Sequence, residues 1–538
     1  MTGEATSGND EWWRGAVIYQ IYPRSYQDDD ANGIGDLRGI TRRLDHVASL
    51  GVDAIWLSPF FKSPMKDMGY DVSDYRDVDP MFGTLADFDA LVDRAHALGL
   101  KVIIDQVLSH SSDRHAWFVE SRRDRTNPKA DWYVWSDPNA DGTPPNNWPA
   151  VFGGPAWEYD PGRRQYYLHN FLIEQPDLNF HNPAVQDALL ADMRFWLERG
   201  VDGFRLDTVN FYHHDASLRD NPPALDGVAP NAIPYDWQIH EFSKTRPDNI
   251  AFLKRMRALT DEFGARCLLG EVGEERRSVE VMAEYTQGSD RLHMAYSFEF
   301  LRSDYGPEHF RRAIETFRDR APEGWACWTF SNHDTARPVS RWAEHAVDRA
   351  RFAECMTALL LAMEGTICMY QGEELGLPDG ELEYEDLTDP IGLRFWPHNK
   401  GRDGCRTPMP WESDASHAGF SEGEPWLPVR EPHPALSVAA QEADPDAMLH
   451  RTRALLAFRR ENDVLRDGAT RFLDAPEPLL VFRRGEGEGA ITCAFNLGRE
   501  PASVDVEGTL GNAMPQAGAD WDAGTLTLEG NGFAFLRG

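Results

Sequence analysis

Four stretches of the chain run from apolar residues into groups that can do chemistry. KVIIDQVLSH carries Asp105 and then His110, and VDGFRLDTVN carries Arg205 and Asp207. RCLLGEV carries Glu271, and WACWTFSNHD leads into His333 and Asp334. Carboxylates can attack as nucleophiles or move protons, and a guanidinium beside them favours the ionised form. Side chains alternate along a strand, so Gly203, Arg205 and Asp207 share one face while Phe204 and Leu206 share the other. A lone acid at a strand end is most often a structural hydrogen-bonder. Three of these carboxylates gathered with a guanidinium and two imidazoles are harder to explain by packing, because burying them together costs several kcal/mol without compensation.

Something must bring these strand ends together. Eight strand-like runs recur, at 16–23, 52–59, 101–107, 201–208, 266–272, 294–300, 325–330 and 365–372. Amphipathic segments such as 85–100, 184–200 and 249–264 lie between them. This alternation predicts an α/β fold, a (β/α)8 barrel whose reactive groups sit at the C-terminal ends of the strands. The barrel is expected over 1–107 and 182–464. Residues 108–181, rich in Trp, Tyr, Pro, Asn and Gly, are too long for a plain connection and predict an inserted, loop-rich domain after strand 3. A loop excursion is expected at 373–447, and short alternating runs predict a C-terminal all-β domain, a β-sandwich, over 465–538.

Composition narrows the function. The 538 residues carry a net charge of −34, which argues against a nucleic-acid partner, because no counterions would be released and repulsion would be added. Basic residues are almost all Arg, with Lys only at 62, 66, 101, 129, 244, 254 and 400. A solvated acidic surface and adaptation to high salt both fit the net charge, while the Arg skew suits a saline habitat and a GC-rich genome alike. The start MTGEATSGNDEWWRG has no basic and apolar leader, and no window approaches a membrane span, so a cytoplasmic protein without membrane contact is expected. The six Cys, at 267, 327, 355, 368, 405 and 493, show no CxxC pair and read as buried thiols.

The motifs together resemble the α-amylase superfamily, glycoside hydrolase family 13, and its α-glucosidase/oligo-1,6-glucosidase branch. Those that match are DQVLSH (105–110), GFRLD (203–207), GEV (270–272), SNHD (331–334), QPDLN (175–179), YPRSY (22–26), MGYDVSDY (68–75) and GRDGCRTPMPW (401–411). Ser109 departs from the family, which usually has Asn before the first histidine. The resemblance implies a retaining glycosidase, with Asp207 the nucleophile, Glu271 the general acid/base and Asp334 the third carboxylate, gripping sugar hydroxyls. In such enzymes the attacking and protonating carboxyls stand roughly 5–5.5 Å apart. His110, His333 and Arg402 match hydrogen-bond donors to the same glucose, and Arg205 is expected to keep Asp207 ionised. Asp67 resembles the carboxylate that closes the non-reducing end, and Tyr70 the ring beneath the sugar. Phe152 and Phe171 resemble aromatics at the leaving-group side, and they read equally as core contacts of the insertion. Thr208 stands where the branch carries Val with α-1,6 substrates and Ala or Thr with α-1,4 or sucrose-like ones.

The expected activity is therefore exo-acting hydrolysis of short α-1,4-glucosides, with glucosyl transfer to a sugar or alcohol acceptor. α-1,6-Glucosidase or sucrose isomerase activity is the alternative on the same scaffold. A catalytically dead binding barrel is disfavoured, since all three carboxylates are present. A monomer or homodimer is expected, with no organic cofactor. In DDDANGIGD, Asp28, Asp30, Asn32 and Asp36 alternate with the Ile34 carbonyl at a spacing like the oxygen ligands of a calcium loop, though an acidic solvated turn reads the same way. The family places a structural Ca²⁺, occasionally Mg²⁺, in this loop.

Overall fold

The computed structural model describes residues 11–225, 233–509, 511, 514–522 and 524–537. The first ten residues, which carry most of the stretch read as lacking a leader, lie outside them.

All eight expected strands form: β1 (Val17–Ile21), β2 (Ala54–Leu57), β3 (Lys101–Gln106), β4 (Gly203–Leu206), β5 (Cys267–Val272), β6 (Met294–Ser297), β7 (Cys327–Trp328) and β8 (Thr366–Tyr370). Each pairs in parallel with its neighbours in chain order, β8 pairs back to β1, and a bridge between Ala295 and Ala326 closes the ring between β6 and β7. The result is a (β/α)8 barrel. Alternation sorts the side chains. Ile18, Trp56, Ile103, Leu269, Met294 and Cys368 pack in the interior, while Tyr19, Ile55, Val102, Phe204 and Leu268 pack outward under the helices. Both faces are buried, which is why the strands read as unbroken apolar runs. Gly203 has no alternative at its position, because a Cβ there would lie 2.5 Å from Cys267 Sγ.

Eight helices follow the strands: α1 (Leu37–Leu50), α2 (Leu85–Ala97), α3 (Pro183–Glu198), α4 (Asn249–Asp261), α5 (Ser278–Thr286), α6 (Pro307–Arg320), α7 (Arg349–Ala362) and α8 (Met448–Glu461). Local chemistry sets their starts. Asp36 caps α1 by accepting from Gly39 N, Thr84 and Asp87 form a capping box on α2, and Asn182 caps α3 just before Pro183.

Between β3 and α3 lies a three-stranded antiparallel sheet, in the order Trp135–Ser136, Gln165–Leu168, Trp157–Asp160. It has its own small core around Trp148, Trp157 and Leu168. Residues 373–447 contain only short helical turns and no strand. At the C-terminus stand β9 (Thr470–Phe472), β10 (Leu479–Arg484), β11 (Ile491–Asn496), β12 (Ala502–Asp505), β13 (Gln516–Asp522) and β14 (Thr525–Arg537). These strands form an all-β antiparallel domain whose ladders join into one hydrogen-bonded path. The 13-residue β14 pairs with β12 through its first half and with β11 through its second, so the two halves share a strand. One face packs Phe482, Phe495, Phe533 and Phe535 towards the barrel, and the other buries Val481, Leu526, Leu528 and Leu536.

Candidate active site

A cavity of about 390 Å³ opens at the C-terminal ends of the strands. Asp67, Tyr70, His110, Phe152, Phe171, Asp207, Thr208, Glu271, Asp334 and Arg402 line it, drawn from chain positions more than 300 residues apart. Three of the residues singled out in the sequence, Asp105, Arg205 and His333, do not line it. Arg205 lies fully buried behind the carboxylates. His333 lies behind Tyr70, stacked on its ring at 5.3 Å, with Nδ1 against Gln20 Nε2 at 2.8 Å and Nε2 against the Tyr70 hydroxyl at 2.5 Å. His333 therefore orients Tyr70 and its neighbour Asp334; it is not placed as a direct donor to a ligand.

Arg205 is the centre of the charge arrangement. Its Nη1 donates to Asp207 Oδ1 at 2.7 Å and to Asp105 Oδ1 at 2.8 Å, and its Nη2 pairs with Glu271 Oε1. The Tyr296 hydroxyl accepts from Arg205 Nη2 at 3.0 Å and donates to Glu271 Oε1 at 2.9 Å. Register explains the grouping: Asp105 and Arg205 are paired across β3 and β4, and Glu271 and Tyr296 across β5 and β6. One cation thus faces three carboxylates. Burial pushes Asp207 well above the usual carboxylate range, Glu271 and Asp105 add to this, and Arg205 opposes it. Arg205 therefore acts in the expected direction, but burial outweighs it. Burial likewise raises Asp105 to about 6 against the pull of Arg205. Such groups lose their protons in shared steps.

Asp334 behaves oppositely. Burial alone would raise it, but His333, Arg402 and Arg406 hold it well below the usual carboxylate range. Arg402 Nη1 donates to Asp334 at 3.1 Å, while its Nη2 reaches Asp67 at 2.9 Å and Asp389 at 2.7 Å. Gln175 Nε2 donates to the other Asp67 oxygen at 3.0 Å. These bonds tie the loop after β2, the insertion and the 373–447 segment into a wall that closes one end of the cavity. Burial lowers His110 to about 4, leaving it a neutral imidazole near pH 7. Phe152 and Phe171 face each other at 5.9 Å, and Phe211, Ile233, Phe298, Leu301 and Ile391 extend an apolar lining towards the mouth.

The sequence pattern described as the catalytic domain of alpha amylase matches residues 20–468. The chain belongs to the α-amylase family. This glycoside hydrolase is 58% identical to the "Probable alpha-glucosidase" of Rhizobium meliloti (strain 1021) over 92% of its own length and 91% of that protein's. It is 38% identical to an oligo-1,6-glucosidase of Heyndrickxia coagulans, with 92% and 94% covered. A solved α-glucosyl transfer enzyme superposes with a TM-score of 0.93 at 53% identity, covering 98% of this chain and 99% of the other. The trehalulose synthase from Pseudomonas mesoacidophila MX-45 gives 0.85 at 32% identity, with 98% and 99% covered.

Four residues of this α-amylase-family site escaped the sequence reading. Tyr296 lies in an apolar run, where a tyrosine reads as core. Gln175 and Arg406 lie inside motifs quoted for the resemblance but were given no part. Asp389 comes from a segment with no periodic signal. Tyr296, Gln175 and Arg406 act through partners distant in the chain, and Asp389 through Arg402 in its own irregular segment.

Away from the cavity, the β1–α1 loop brings carboxylate oxygens of Asp28, Asp30 and Asp36 within 4.8 Å of one another. Asp28 and Asp36 are buried, and among the described residues none of the three is paired with a basic side chain. The backbone N–H groups of residues 29–33 and 39 partly offset their charge, as when Gly33 N donates to Asp28 Oδ2 at 2.8 Å. Asn32 Oδ1 accepts from Ile34 N at 2.8 Å, so these two residues shape the same turn. Three carboxylates gathered without a basic partner, two of them buried, fit a hard divalent cation. Among the described residues, no helix is long and apolar enough to cross a membrane.

Proposed function

We propose that this enzyme is a retaining, exo-acting α-glucosidase that removes terminal α-1,4-linked glucose from short substrates. The observation that carries this is the closed end of the cavity. Asp67, Arg402 and Gln175 form a wall beside Tyr70, so a non-reducing glucose meets hydrogen-bonding groups and the chain cannot extend past it. Asp207 attacks the anomeric carbon while Glu271 gives a proton to the departing oxygen. The glycosidic bond breaks and a glucosyl–Asp207 ester forms. Water, or the hydroxyl of a sugar or alcohol acceptor, then gives its proton to Glu271 and takes the glucosyl group, freeing Asp207. Ionised Asp334 beside Arg402 is suited to accept hydrogen bonds from sugar hydroxyls. The aromatic and aliphatic part of the lining offers an acceptor sugar a surface to pack on, which favours transfer.

The linkage preference is assigned to Thr208, by the pattern of the branch. Product analysis by NMR on maltose, sucrose and isomaltose tests it. Maltose is expected to be cleaved faster than isomaltose with release of α-glucose, and Thr208→Val is expected to move the ratio towards isomaltose. Equal or faster cleavage of isomaltose, or isomerisation of sucrose as the main reaction, would instead favour the oligo-1,6-glucosidase or isomerase reading.

The β1–α1 loop is proposed to hold a structural Ca²⁺ through Asp28, Asp30, Asn32, the Ile34 carbonyl and Asp36, with no part in the chemistry. Chelation is expected to lower Tm, and added Ca²⁺ to restore it. An unchanged Tm together with no metal by elemental analysis removes this proposal.

A further inference from the structure

Thr208 is held in an unusual way. It follows Asp207 with φ +41°, in the left-handed region that a β-branched residue rarely adopts. Such a conformation persists only where neighbours fix it. Three contacts do so here. The backbone N–H donates to Glu271 Oε2 at 3.1 Å, the hydroxyl lies 3.2 Å from Asp207 Oδ2, and the hydroxyl lies 2.9 Å from Ser109 Oγ. One residue thereby touches both reacting carboxylates.

Ser109 is itself fixed. It is buried, its carbonyl accepts from Leu178 N at 3.0 Å, and its hydroxyl lies 2.8 Å from His110 Nδ1. A continuous chain therefore runs from His110 through Ser109 and Thr208 to Asp207. With Asp207 ionised, His110 Nδ1–H donates to Ser109, Ser109 to Thr208 and Thr208 to Asp207, and Gln175 Nε2 donates to His110 Nε2 at 3.1 Å. With Asp207 protonated the carboxyl donates to Thr208, Thr208 to Ser109 and Ser109 to His110 Nδ1, while His110 Nε2–H donates to the Tyr70 carbonyl at 2.9 Å and Gln175 Nε2 keeps its bond to Asp67. Both arrangements pass through Ser109.

We propose that Ser109 is a positioning residue, which orients the Thr208 hydroxyl and through it the nucleophile Asp207. This rests on the glucosidase reading above. Arg205, Glu271, Asp105, Asp334, Tyr70 and Tyr212 also face Asp207, and the variants below leave all six in place. A hydrogen bond to the ionised form favours it, so losing the Thr208 bond moves the acid limb of kcat/KM to higher pH.

The test is a cycle of Ser109→Ala, Thr208→Val and the double variant on p-nitrophenyl α-glucoside, with Tm measured for each. Each single variant is expected to lower kcat about tenfold with little change in KM and to move the acid limb upward. The double variant is expected to be no worse than the poorer single, and Thr208→Ser, which keeps the hydroxyl, to restore the wild-type profile. A wild-type kcat and pH profile in Ser109→Ala overturns the proposal. So do losses that multiply in the double variant, since Ser109 would then act through His110 alone. If Ser109→Ala fails to fold, Ser109→Gly, which also removes the hydroxyl, is read against the same acid limb. If Asp207→Ala is fully active, the glucosidase reading itself fails; if it is inactive while Ser109→Ala is normal, only this inference does.

Discussion

Asp207→Ala and Glu271→Gln are each expected to lower kcat on maltose by about a thousandfold or more, with substrate binding largely retained. The two losses should differ in kind. Without Asp207 no glucosyl ester can form, so the loss is expected on every substrate. Glu271 matters for the first step only as far as the leaving oxygen needs a proton. An aryl glucoside, whose phenolate leaves without help, should therefore lose much less kcat/KM than maltose in Glu271→Gln, and because the second step still lacks its base a glucosyl–enzyme ester should accumulate and be visible by mass spectrometry. Neither change should disturb the fold, since Arg205 keeps two of its three carboxylate partners in each variant. Equal losses on aryl and sugar leaving groups in Glu271→Gln would remove its role as general acid. Wild-type rates in Asp207→Ala would remove the nucleophile.

How much of this could be read from the chain depended on where each signal lies. The barrel strands are buried on both faces, so each appears as an apolar run, and all eight formed. The one least faithful to its run is β7, where only Cys327 and Trp328 pair regularly within the stretch 325–330. Closure beside it rests on the single Ala295–Ala326 bridge. The carboxylates were legible because each interrupts such a run at its end. Tyr296 was not, because its hydroxyl meets partners from β4 and β5 that nothing in MAYSFEF announces. Asp389 and Arg406 were hidden for a related reason: ion pairs between irregular segments leave no periodicity. His333 shows the opposite limit. Its place in SNHD suggested contact with the sugar, but the stacking of Tyr70 over it decided otherwise. The C-terminal all-β domain was legible in its alternation, which records the face each strand buries; Asn531, at φ +53°, marks the irregular stretch between the two halves of β14.

Replacing Arg205 with Gln is expected to have the largest effect on stability, and one that depends on pH. Arg205 is fully buried, bonded to Asp105, Asp207, Glu271 and Tyr296, and its guanidinium lies 5.0 Å from the Trp56 ring centre. Removing one member of such a group strands buried charge, at about 3–5 kcal/mol. The carboxylates can escape that cost only by binding protons. Asp105 already stands at about 6 and Asp207 well above the usual range while Arg205 pulls both down, so without it both rise further. A carboxylate raised on folding carries no penalty below its unfolded pKa, because both states are then protonated. The penalty grows as pH climbs from about 4 towards the folded value, where the unfolded chain has released its proton and the native protein has not. The Tm deficit of Arg205→Gln against wild type should accordingly be small near pH 4.5 and large at pH 8. Any remaining activity should show an acid limb displaced to higher pH. Arg205→Lys separates charge from geometry: a point ammonium restores much of the stability, but it cannot hold three carboxylates and Tyr296 at once, so kcat stays low. An equal Tm deficit at both pH values would mean that Arg205 contributes packing and not charge, and that Thr208 and Tyr296 alone set the state of the nucleophile and its partner acid.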